Sequence, residues 1–176
     1  MMRLIFVSLL LTCSTAAAQL NLYLEDQIAA DTRQVTCMEI SADGRFLAWS
    51  DEGGTVFLRD IRAGRTLHVL KGHRGEVNAL IFDRNHQKLL SGGNDGKIRV
   101  WDLYSGQEEQ EITDFRSDIL SLALSPDSRM LAAAGEKKEL YVWEFPSGAV
   151  RGRLKGHRKD VLTAAFSIGG DQILSV

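Results

Sequence analysis

The sequence predicts an all-β protein built from successive four-stranded antiparallel sheets, and three observations carry that expectation. The first is a repeat without insertions. Val35, Val77, Ile119 and Val161 open similar segments 42 residues apart, Ile28, Leu70, Ile112 and Leu154 precede them at the same spacing, and Asp60, Asp102 and Glu144 close successive units. The second is the pattern within a unit, where short apolar segments alternate with turn residues at hairpin intervals. The third is the balance of 16 glycines against two prolines, Pro126 and Pro146, which suits short strands joined by tight turns.

The second unit shows the elements in order. Residues 77–82 (VNALIF) read as a first strand, and a polar turn follows over 83–87. Residues 88–92 (KLLSG) form the second strand, and Asn94-Asp95-Gly96 is a tight-turn sequence. Residues 97–102 (KIRVWD) alternate polar and apolar, Ser105-Gly106 turns the chain, and 108–112 complete the unit. The inner strands carry apolar residues on both faces, as sheets stacked face to face require. No stretch keeps apolar residues at i, i+3, i+4 and i+7 over three turns. The best helical candidate, residues 20–30, is short and uncapped.

A period near 42 residues is the size of one four-stranded propeller blade. Residues 22–176 resemble the WD-repeat (WD40) β-propeller family, most closely through Gly72-His73 and the run from Ser91 to Asp102 (SGGNDGKIRVWD). The resemblance implies a partial β-propeller of four-stranded antiparallel blades, three full and part of a fourth. It also implies a buried structural tetrad of His, Ser or Thr, Asp and Trp, matched here by His73, Ser91, Asp95 and Trp101. A neutral imidazole donates at one nitrogen and accepts at the other, so Ser91 and Asp95 can flank it while Trp101 supplies an indole N–H. Each of these groups would cost about 1–3 kcal/mol if buried alone.

The other units hold only parts of this set. The third keeps Trp143 but has Phe115, Ala133 and Lys137 elsewhere, and the fourth has His157 and Ser175. The first has Asp31, Trp49, Gly53 and Arg59, so its tetrad is absent.

Residues 1–18 differ from the rest. Arg3 precedes an apolar run over 4–11, and small residues end at Ala16-Ala17-Ala18, the layout of a cleavable secretory leader. The run is too short to span a bilayer, which takes about 20 residues. The expected organisation is a signal peptide over 1–18, a segment over 19–34 holding an outer strand at 24–28, and the repeats over 35–176. Export to a periplasm or the extracellular space follows from the leader; lipid attachment at Cys13 is the alternative. Without the leader Cys37 stands alone, which gives no disulfide framework and reads as an inert, buried thiol.

Val176 is expected within the second strand of a fourth blade. That reads as a fragment of a longer product, with assembly with further chains or a stable open stack as the other readings. Open strand edges then offer a route to self-association.

The net charge of −2 supplies no global field for nucleic acid or an anionic membrane, so neither is expected as a partner after leader cleavage. His68, His73, His86 and His157 lack metal-ligand spacing, and Ser91 lies on a strand rather than a nucleophile elbow. No catalytic residue, metal or cofactor is therefore expected. Propellers converge their loops on one rigid end, so the resemblance implies a platform for protein partners. Loop position selects Arg74, Glu76, Asn94, Arg116, Asp118, Lys137, Arg158 and Asp160 as candidate contacts. Lys71, Lys155 and Lys159 share that end with Asp114, making it a mixed-charge face. Phe115 reads as an exposed contact or a buried filler. The alternative function is the propeller part of a larger exported enzyme, such as a peptidase, whose catalytic domain lies elsewhere.

Overall fold

The computed structural model describes residues 34–83 and 87–176. The leader, Cys13, the expected strand over 24–28, the helical candidate over 20–30 and His86 lie outside the described residues.

Three four-stranded sheets follow one another along the chain. The first holds β1 (Val35–Ile40), β2 (Phe46–Asp51), β3 (Thr55–Asp60) and β4 (Arg65–Lys71). The second holds β5 (Val77–Asp83), β6 (Lys88–Gly93), β7 (Ile98–Asp102) and β8 (Glu108–Ile112). The third holds β9 (Ile119–Leu124), β10 (Met130–Gly135), β11 (Lys137–Glu144) and β12 (Val150–Lys155). A two-stranded sheet of β13 (Ala164–Phe166) and β14 (Ile173–Ser175) opens a fourth. Spatial order equals chain order in every sheet, and each neighbouring pair is antiparallel. The sheets are therefore meanders of hairpins, and their first strands β1, β5, β9 and β13 lie beside one another.

Apolar faces pressed together hold the blades. Phe46, Ala48, Val56, Leu58 and Leu70 of the first meet Leu80, Phe82, Leu89 and Trp101 of the second. The opposite face of the second, with Ala79, Leu90, Ile98 and Val100, meets Ile119, Leu131, Ala133, Tyr141 and Trp143 of the third. Alternation along a strand sends successive side chains to the two interfaces, so Leu89 and Leu90 serve different cores. Of the series that precedes the repeat units, Leu70 and Ile112 are buried near the ends of their outer strands, while Leu154 is half exposed.

A bulge follows the first residue of each complete inner strand, leaving Thr36, Asn78 and Leu120 out of the ladder. A bulge redirects a side chain. Thr36 Oγ1 donates to the Val77 carbonyl of the next blade at 2.8 Å, and Asn78 Nδ2 donates to the Ile119 carbonyl at 2.9 Å. Leu120 has no polar atom to repeat the bond. In the fourth blade the strand begins at Ala164 rather than at Val161. The Val161 N–H goes instead to the Gly135 carbonyl, and those of Leu162 and Thr163 both go to Val176.

The aspartate that closes each of the first two units folds the next turn. Asp60 Oδ1 accepts from the Ala63 N–H at 2.8 Å, and Asp102 Oδ1 accepts from the N–H groups of Tyr104 and Ser105. Glu144 is one methylene longer, and its carboxylate pairs with Arg151 at 3.0 Å.

Candidate functional site

His73, Ser91, Asp95 and Trp101 come together at the interface of the first two blades. His73 sits in the connection from β4 to β5, Ser91 on β6, Asp95 in the β6–β7 turn and Trp101 on β7. His73 Nε2 lies 2.8 Å from Ser91 Oγ, and His73 Nδ1 lies 3.0 Å from Asp95 Oδ1. Trp101 Nε1 donates to Ser91 Oγ at 2.8 Å.

The donors and acceptors fix one proton arrangement for a neutral ring. An ionised Asp95 only accepts, so Nδ1 carries the ring proton. Nε2 then accepts from the Ser91 hydroxyl, whose oxygen accepts from the indole. Asp95 also receives the backbone N–H groups of Arg74, at 3.1 Å, and Lys97, at 3.2 Å. The tetrad thus pins an inter-blade connection to a hairpin turn. Ser91 is fully buried and His73 nearly so, which places the cluster in the structure's interior rather than at a substrate surface.

Burial pushes the Asp95 carboxyl upward, but the His73 hydrogen bond and charge, with the two backbone donors, outweigh it and hold the pKa below the ordinary aspartate value. A depressed carboxylate contributes stability that is present above its unfolded pKa, about 3.9, and is lost as pH falls through the lower folded value. Asp95→Asn is therefore expected to flatten the fall of unfolding free energy below about pH 4. Denaturant titrations at several acidic pH values would check this. Asp43, Asp60, Asp102, Asp127 and Glu111 are also depressed and leave part of the slope in place.

Gly72 packs closely on a neighbour. A Cβ there would lie 3.1 Å from Arg99 Nε, because the guanidinium passes directly against the glycine. Arg99 Nη1 is held by Glu108 at 2.6 Å and Glu111 at 2.8 Å, while its buried Nε has no partner.

The third blade solves the same position differently. Phe115 is fully buried, so it is a filler, and its ring meets Tyr141 edge-on at 5.0 Å. Lys137 donates from Nζ to the Phe115 carbonyl, and its ammonium lies 5.2 Å from the Tyr141 ring centroid. Ala133 offers Trp143 no acceptor, and the Trp143 indole nitrogen is buried without a partner. In the fourth sheet His157 Nε2 lies 2.8 Å from Ser175 Oγ. The first blade stacks Trp49 on Phe57 at 5.2 Å and buries Ser50, whose hydroxyl reaches the Val77 carbonyl at 3.2 Å.

The candidate contact residues cluster as their loops do. Antiparallel alternation puts the β2–β3, β6–β7 and β10–β11 turns at the same end as the inter-blade connections. Backbone bonds tie the two sets: Asn94 N–H to the Glu76 carbonyl at 2.9 Å and Glu136 N–H to the Asp118 carbonyl at 3.0 Å. Arg74, Glu76, Asn94, Arg116, Arg158 and Asp160 are exposed, while Asp118 and Lys137 are half-buried. Lys137 directs its charge inward, and the Asn94 side chain accepts from Asn78 at 2.6 Å. Sequence reasoning missed the inter-blade bonds of Thr36, Ser50 and Asn78. The trace of Thr36 and Asn78 in the sequence is a polar residue at matching places of two mostly apolar strands, while Ser50 has Gly92 and Ala134 at its matching places.

Cys37 is half-buried, and burial pushes its thiol pKa upward. Among the described residues no group of three His, Cys, Asp or Glu side chains is placed to share a metal ion, and no helix is long and apolar enough to cross a membrane.

The WD domain, G-beta repeat family matches residues 64–102 and 106–144. The chain is 38% identical over 71 residues to "Target of rapamycin complex subunit wat1" of Schizosaccharomyces pombe, covering 40% of this chain and 22% of that protein. It is 31% identical over 74 residues to "WD repeat-containing protein 1" of Gallus gallus, covering 40% of this chain and 12% of that one. "Meiotic recombination protein rec14" of S. pombe matches at 32% over 66 residues, covering 38% and 22%. The match therefore spans about a fifth or less of these relatives. Residues 64–102 and 106–144 match the WD40 repeat, and the four-stranded antiparallel sheets are consistent with a partial β-propeller.

Proposed function

We propose that these WD40 repeats form an exported scaffold that binds other proteins through the end where the inter-blade connections meet the β6–β7 and β10–β11 turns. The observation that carries the reading is the bracing of that end. Asp95 holds the Arg74 backbone, Glu76 and Asp118 carbonyls are tied to neighbouring turns, and Ser117 Oγ donates to the Glu136 carbonyl at 3.1 Å. A braced frame spares binding the cost of ordering the loops beneath the contacting side chains. The reading is binding rather than catalysis because the His73, Ser91 and Asp95 cluster lies in the interior, with Ser91 fully buried, and not at a surface that a substrate reaches. Export rests on the basic, apolar and small-residue order of residues 1–18.

The test compares two surfaces. The chain is immobilised and challenged with the exported protein fraction of its own cell. Glu76→Trp/Asp160→Trp, which adds bulk at two exposed positions of that end and leaves its arginines in place, is expected to lose the retained partners, and Ile61→Ala/Tyr104→Ala, at the opposite end, is expected to keep them. Loss in the second variant alone, or no partner retained by the unaltered chain, overturns the reading.

A further inference from the structure

The inter-blade connections repeat a charge as well as a shape. Arg74, Arg116 and Arg158 stand 42 residues apart, at the same place in three successive connections. All three are exposed. Among the described residues none of their guanidinium groups enters an ion pair, hydrogen bond or ring contact, whereas Arg45, Arg99, Arg151 and Arg153 are all engaged. Over residues 71–76, 113–118 and 155–160, six Lys and Arg side chains face four Asp and Glu, in a chain whose net charge is −2. The connections thus carry a local excess of the sign opposite to the whole.

The backbones beneath the first two of these arginines are held in place. Arg74 N–H is fixed by Asp95. Arg116 adopts a φ of 53°, a left-handed conformation that a non-glycine residue takes at a cost. Contacts on both sides enforce it. A Cβ on Gly96 would lie 2.9 Å from the Ser117 nitrogen, and Lys137 grips the Phe115 carbonyl. An arginine held at an unfavourable φ, with its guanidinium in solvent, is displayed rather than packed.

We infer that Arg74, Arg116 and Arg158 form a row that reads carboxylates on an acidic segment of a protein partner. This rests on the loop-end binding reading above and adds the chemistry of the partner. Guanidinium forks take carboxylates in bidentate pairs, which a point charge cannot reproduce. Glu76, Asp118 and Asp160, two residues beyond each arginine, repel a carboxylate that slips out of register, so they sharpen the placement.

The probe is a fluorescein-labelled hexaglutamate peptide, with hexalysine as control, followed by fluorescence anisotropy at low salt with the full chain. Hexaglutamate is expected to bind more tightly than hexalysine. Arg74→Gln/Arg116→Gln/Arg158→Gln is expected to weaken it at least tenfold without moving the melting temperature. Arg74→Lys/Arg116→Lys/Arg158→Lys is expected to recover only part of the loss. Arg62→Gln/Arg65→Gln, two exposed arginines outside the row, is expected to leave binding unchanged. Equal weakening by that control pair, full recovery by the lysine variant, or no binding of hexaglutamate overturns the inference. The loop-end reading is judged separately by partner retention, since those variants leave all three arginines in place.

Discussion

Ser91→Ala is expected to lower the unfolding free energy by about 3 kcal/mol, because it strands two buried groups at once. Ser91 Oγ is the acceptor for the Trp101 indole and the hydroxyl donor for His73 Nε2. Alanine leaves both without a partner in a site where Ser91 itself has no exposure. Trp101→Phe removes one of the same bonds, so the double variant is expected to cost less than the sum of the singles. Denaturant unfolding followed by circular dichroism checks the loss, and hydrogen exchange places it in β6, β7 and the connection that carries His73. The third blade supplies the control. Trp143 already lacks an acceptor, so Trp143→Phe forfeits packing but no hydrogen bond. It is expected to cost less than Trp101→Phe, and the reverse order would show that the tetrad contributes nothing beyond packing.

Gly135→Ala is expected to destabilise by about 3 kcal/mol or more, by overpacking rather than by loss of a bond. A methyl on Gly135 would overlap the Asp118 carbonyl oxygen and come within 3.0 Å of the Phe115 ring. Neither neighbour is free to yield. The Asp118 carbonyl accepts the Glu136 N–H, and the Gly135 carbonyl accepts the Val161 N–H from the segment that precedes β13. The connection over residues 114–118 must therefore move as a unit. Because it bears Arg116, the variant is also expected to weaken hexaglutamate binding. Gly44→Ala is the comparison: Gly44, unlike Gly135, is left-handed, with a φ of 68°, and nothing lies within 4 Å of an added Cβ there. Its cost is expected to be confined to backbone strain, about 1 kcal/mol. Thermal unfolding of the two variants side by side separates steric overlap from strain.

Most of the architecture was legible in the sequence because periodicity is a property of the chain itself. A spacing of 42 residues counts strands and turns without knowing what they touch, and alternation of side chains gives each strand two faces. The tetrad was legible through the resemblance of residues 72–102 to the WD repeat, which implied His73, Ser91, Asp95 and Trp101 as one cluster. The sequence therefore determined the order of strands and the blade size, and the resemblance supplied the partners of His73.

Three-dimensional packing decided the rest. Whether Phe115 faced water or filled a core depended on Tyr141 and Lys137, which belong to β11, the third strand after it. Lys137 read as a loop contact, yet its ammonium points inward, because a carbonyl and two rings converge there. The bonds from Thr36 and Asn78 arise from bulges, and a bulge is set by the twist between neighbouring strands rather than by either residue alone. Gly135 looks like any turn glycine until the Asp118 carbonyl is placed beside it. In each case the deciding quantity is a distance between segments far apart in the chain. A linear pattern specifies which faces meet, while only the packed faces specify which atoms do.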